Sequence, residues 1–151
     1  MDDFRTLLVT GMDSRPLWAV WKETLPTNFP VKALRVFHPF QFATCEISVQ
    51  ASAVHYCRPQ ETLDDLTAYT HWEVYLSLKD GAGKSLEDFI RRSPFEEYWG
   101  EDVSHNVPTE VAQGLLNLLE SLLGKPTIQE VDLTIPLRKG VTKVGLLFDD
   151  T

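Results

Sequence analysis

A chain of 151 residues, 43% apolar and 11% aromatic, has the bulk for one self-sufficient hydrophobic core. Residues 1–151 are therefore expected to form a single globular domain without help from a disulfide or a metal. A net charge of −8 repels phosphate backbones and anionic bilayers, so neither nucleic acid nor membrane is an expected partner.

The N-terminus, Met1-Asp2-Asp3-Phe4-Arg5, has neither the basic start nor the apolar run of a secretory signal. No apolar run approaches the ~20 residues needed to cross a bilayer. The expected address is the cytoplasm. Leu7, Leu8 and Val9 fit either the end of a short helix or a strand closed by Gly11. Ser14-Arg15-Pro16 predicts a helix start, with Ser14 as N-cap and Pro16 in the first turn. Leu17, Val20, Trp21 and Leu25 follow at helical spacing, and Pro26 ends the run. Val31 to His38 is predicted as a strand stopped by Pro39.

Residues 43–53 carry the clearest local pattern. Ala43, Cys45, Ile47, Val49, Ala51 and Ala53 alternate with Thr44, Glu46, Ser48, Gln50 and Ser52. Period-two alternation means one buried face and one wet face. Trp72, Val74, Leu76 and Leu78 repeat it, Val131, Leu133 and Ile135 do so again, and Val141 to Phe148 is a weaker case. A continuous strand through Cys45 and Cys57 would hold them roughly 40 Å apart, far beyond the about 7 Å a disulfide allows. Both are read as free thiols in a reducing compartment.

Between the two best strands lies the segment 55–71, which holds two of the four His and one of the two Cys. A connection of this length is uncommon in a compact domain and is often functional. Helices follow. Ser85 is expected to cap a short one, with Glu87 and Asp88 near its N-terminus. Ser93-Pro94-Phe95-Glu96 has the form of a capping box. A longer helix is expected from near Asn106–Glu110, with Val111, Leu115, Leu118, Leu119 and Leu122 as its apolar stripe and Gly124 closing it. Half-wet strands followed by helices predict an α+β fold: a mostly antiparallel sheet of about four to six strands, with two to four helices packed on one face.

No motif spells out a reaction. Gly81-Ala82-Gly83-Lys84-Ser85 has the tail of a phosphate-binding loop, but the glycine that would open such a loop is replaced by Leu78, inside a strand. Lys79-Asp80-Gly81-Ala82-Gly83 is read as a turn, on its Asp-Gly pair. His55, Cys57 and His71 are the candidate catalytic residues, because a thiol needs a nearby base to become a nucleophile. Suitable metal ligands cluster around 55–73, but no standard ligand spacing appears, and neither a metal nor another cofactor is expected.

The charge is uneven. Residues 56–110 hold 12 acids against five bases, while the rest of the chain is almost balanced. Aromatic side chains interleaved with acids suit docking of a basic protein. The candidate binding residues are Tyr69, Glu96, Glu97, Tyr98, Trp99, Glu101 and Asp102. The spacing of Phe95, Tyr98 and Trp99 fits a core-facing stripe equally well. The expected function is a small acidic binding or regulatory module of the inhibitor, immunity-type or adaptor kind. The alternative is a small enzyme or metal-dependent module using 55–73.

Overall fold

The structure, a computed structural model, describes residues 1–16, 19, 33–128, 134–135 and 144–145. The alternating segments form the centre of a sheet. Strand β1 (Thr10–Asp13) pairs antiparallel with β2 (Arg35–Phe37). Strands β3 (Phe40–Gln41), β4 (Cys45–Gln50), β5 (His71–Leu78), β6 (Ser104–Pro108) and β7 (Thr127–Ile128) form an antiparallel five-stranded sheet in the order β6-β5-β4-β3-β7. Short strands β8 (Thr134–Ile135) and β9 (Val144–Gly145) pair with each other. Helix α1 (Gly83–Arg91) buries Leu86 and Ile90, and α2 (Thr109–Leu123) buries Ala112, Leu115, Leu116 and Leu119. This is the α+β fold that the alternation implied.

The core forms where the apolar positions of β4 and β5 meet the helices. Cys45, Ile47, Val49, Trp72 and Val74 are fully buried, as are Phe4, Phe40, Ile90 and Leu116. Each Leu-sized side chain sealed here contributes about 1.5–3 kcal/mol. The Phe4 ring meets Trp72 edge-on at 5.1 Å. The opposite positions of β5, His71, Glu73, Tyr75 and Ser77, stay partly or fully exposed. No helix among the described residues is long and apolar enough to cross a membrane.

Several local expectations are corrected. The N-terminal segment is a 3₁₀ turn at Phe4–Thr6, and the strand begins only at Thr10 and runs through Gly11. The alternation of 43–53 holds from Cys45 to Val49, but Ala43 is exposed, and Gln50 and Ser52, expected on the wet face, are buried. Helix α1 starts at Gly83, so Ser85 lies inside it and does not cap it. Ser93 makes no cap either: its hydroxyl donates to Ile90 O at 2.5 Å, and Pro94–Tyr98 is a 3₁₀ helix. Strand β6 occupies the residues expected to lead into the last helix. Its pairing with β5 slips between Trp72 and Val74, and Asn106 sits there at φ 51°. A bulge breaks period-two alternation, which hid the strand from its sequence. Gly124 ends α2 with its N–H on Glu120 O at 2.8 Å; its φ of 84° and ψ of −179° form an extended, positive-φ conformation open essentially to glycine alone. Arg15, Pro16 and Ala19 are helical. The rest of that expected helix lies outside the described residues, as do Val31 and Lys32 and most of the two C-terminal strands.

Candidate functional site

The 51–70 segment is an ordered structure built on buried polar anchors. Arg35 of β2 is 3% exposed. Its guanidinium donates to Leu63 O at 2.6 Å, to Ala51 O at 2.8 Å and to the Tyr69 hydroxyl at 3.1 Å. That hydroxyl also accepts from Leu63 N at 2.7 Å and donates to Glu61 O at 2.5 Å. Thr62 ties the same stretch to Ala33 O and to Ala53 N. Loop backbone turned inward needs partners, and these side chains supply them. Tyr69, expected among the exposed binding residues, is 1% exposed. It holds the loop from beneath and cannot touch a partner, which corrects its assignment.

His55 is fixed by Ser52, whose Oγ lies 2.6 Å from Nδ1. Its Nε2 lies 3.8 Å from Glu73 Oε2, with both side chains 14% exposed. This is no ion pair. A charged pair would raise the histidine and lower the carboxyl. Instead, burial and then the Arg35 charge hold His55 down to about 4, and burial pushes Glu73 above its ordinary value, opposed by His105. Ser–His–Glu superficially suggests a nucleophile triad. Ser52 is fully buried, however, and its Oγ also accepts from Val54 N at 3.2 Å, so it stabilises a turn.

The other reactive candidates are held apart in the same way. Cys57 donates its thiol hydrogen to Ser52 O at 3.3 Å and lies 3.4 Å from Pro59 O. Burial pushes this thiol up, and pushes Cys45 up to about 11. His71 Nδ1 lies 2.7 Å from Thr70 Oγ1. No side-chain hydrogen bond joins any two of His55, Cys57 and His71. A raised pKa keeps a thiol protonated and unreactive, which is the reverse of what nucleophilic catalysis needs. No group of three metal-ligating side chains occurs among the described residues.

The acidic, aromatic stretch stands differently. Phe95 is 1% exposed and belongs to the core. Tyr98 and Trp99 are half-buried against it, so the core-stripe reading holds for the first ring and partly for the other two. Glu96, Glu97, Glu101 and Asp102 are all exposed. None of the four makes an ion pair among the described residues. The Arg91 guanidinium covers the Trp99 ring at 4.7 Å and also meets Glu87 at 3.0 Å.

Beside this surface lies a cleft of about 520 Å³, formed by the end of β5 together with Arg91, Trp99, Gly100 and Glu101. Sequence reasoning missed Tyr75 and Arg91, which also line it. The available signal was Tyr75's wet-face position, which leaves a large aromatic ring 42% exposed. Compared with known proteins, the chain matches no family model, no curated protein and no solved structure.

Proposed function

We propose that the protein is a small acidic binding or regulatory module, of the inhibitor, immunity-type or adaptor kind. It docks a basic protein surface on Glu96, Glu97, Glu101 and Asp102, around Tyr98 and Trp99. The observation that carries this reading is the pairing of exposed, uncompensated carboxylates with a half-buried Trp beside a cleft. Acids on a rim steer a basic partner and set its orientation, while an aromatic ring at the centre supplies the affinity.

The test is affinity capture from the native host, with wild-type protein and a Glu96→Gln/Glu97→Gln/Glu101→Gln/Asp102→Asn variant in parallel. The expected result is a partner bound in low salt, released as salt rises, and held at least about tenfold more weakly by the variant. The same partner held equally by both proteins would remove the reading.

A further inference from the structure

The backbone of β5 is paired on one side along its whole length and on the other side along only half of it. Lys79 N donates to Thr44 O at 2.9 Å, and the ladder with β4 runs from Cys45↔Leu78 to Gln50↔Glu73. Antiparallel strands alternate which residues bond across a given partner. Ser77, Tyr75 and Glu73 therefore bond to β4, while the N–H and C=O groups of Trp72, Val74, Leu76 and Leu78 face the β6 side. There the ladder ends at Val74↔Ser104. Among the described residues, no backbone group bonds Leu76 or Leu78 from that side.

The bulge at Asn106 sits inside the paired half, and beyond it the ladder stops at Ser104. The cleft runs along the unpaired half, lined by Leu76 and Leu78 and by Arg91, Trp99, Gly100 and Glu101. Sheets blunt open edges with proline, inward charges or bulges on the edge strand itself. Tyr75-Leu76-Ser77-Leu78 has no proline and no charge.

We propose that this half-edge accepts an extended, lysine- or arginine-bearing segment of the partner protein as an added strand. The segment pairs with the backbone of Leu76 and Leu78 and sets its basic side chains against Glu101 and the neighbouring acids. It rests on the reading of the protein as a binding module. Charge selects the occupant. A second copy brings the same acids and a net charge of −8 to the same edge, whereas a basic segment meets Glu101 and the exposed acids beside it, Arg91 at the cleft being already engaged by Glu87 at 3.0 Å. Main-chain pairing supplies affinity that depends little on sequence, and the rim supplies the preference for positive charge.

The experiment uses the full chain and a short capped peptide that alternates lysine with valine and threonine. Its controls are the same peptide with its inner amides N-methylated, and one with glutamate for lysine. Amide hydrogen exchange is followed by NMR. The lysine peptide is expected to slow exchange at Leu76 and Leu78, and both control peptides to bind at least about tenfold more weakly. A Cβ added at Gly100 meets nothing within 4 Å, so Gly100→Trp is chosen to obstruct the cleft, with the melting temperature as the check on the fold. That variant is expected to lose the peptide at an unchanged melting temperature.

Peptide binding without protection of Leu76 and Leu78 would overturn the strand pairing. So would slow exchange at both amides in the free monomer, which would mean that the chain covers its own edge, or protection that grows with protein concentration, which would mean a second copy. Retained capture of the native partner by Gly100→Trp would also overturn it, while leaving the acidic surface reading intact. That reading fails separately, on the fourfold neutralised variant.

Discussion

The side-chain amide of Gln50 pairs with the main chain of Phe37 as if it were another strand residue. Its Nε2 donates to Phe37 O and its Oε1 accepts from Phe37 N, both at 2.8 Å. One buried side chain thereby fastens the β1–β2 pair to the five-stranded sheet. Gln50→Leu leaves a buried N–H and a buried C=O unmatched, each costing about 1–3 kcal/mol. Chemical denaturation is expected to show a loss of roughly 2–4 kcal/mol. A loss under about 0.5 kcal/mol, the scale of an ordinary surface substitution, would mean that solvent already satisfies both groups.

Tyr69→Phe separates the structural role of that ring from any role in recognition. The hydroxyl satisfies Leu63 N, Glu61 O and Arg35 together, so its removal is expected to cost about 2 kcal/mol or more. Proteolysis between 58 and 68 should quicken as the loop loosens. Affinity for a captured partner should stay unchanged once the comparison is made well below the melting temperature. A weaker partner with an unaltered loop would return Tyr69 to the binding surface.

Stability should fall with pH in a window belonging to His55. In the unfolded chain this imidazole takes up a proton near its ordinary value of 6.5, whereas in the folded protein it does so only at about 4. Between those values the unfolded state binds more protons, so stability declines as pH falls, by at most about 1.4 kcal/mol per pH unit. Glu73 acts in the opposite sense. Its raised carboxyl takes up a proton earlier in the folded protein and offsets part of the loss. Asp13, held low by Arg15, contributes only below its ordinary value, near the acid end. Denaturant midpoints from pH 7 to 4 should therefore slope for wild type and flatten for His55→Asn. Parallel curves would assign the slope elsewhere.

Both thiols should resist alkylation in the native protein. With Cys45 pushed up to about 11, roughly a thousandth of it is thiolate at pH 8, and both cysteines are buried. Mass spectrometry after iodoacetamide treatment is expected to show no adduct until denaturant is added, and then two. Rapid native labelling of Cys57 alone would revive the thiol as a nucleophile.

The sheet was readable where one rule governed a run of residues. From Cys45 to Val49 and from His71 to Ser77, burial alternates as the sequence does, because each residue has one sheet face to choose. Strand β6 was hidden because Asn106 breaks that rule within five residues. The acids at 96–102 could be found by composition, since charge stays on the surface. Tyr69 could not be placed, because its burial depends on Arg35 and on the loop carbonyls, which meet only after folding. The cleft was equally illegible: it exists because two strands part company, and no residue type records that.

The pairing of β3 carries a consequence for how the protein is made. Phe40 lies opposite Ile47 on one side and Ile128 on the other. A ribosome delivers the first neighbour almost at once and the second only after α2 has been synthesised. Until then the nascent sheet carries a bare flank at Phe40–Gln41, and an unpaired flank on an unfinished chain invites misassembly. Closure by β7 is thus a late event in biosynthesis, and the emerging chain is most vulnerable just before Thr127 and Ile128 leave the exit tunnel.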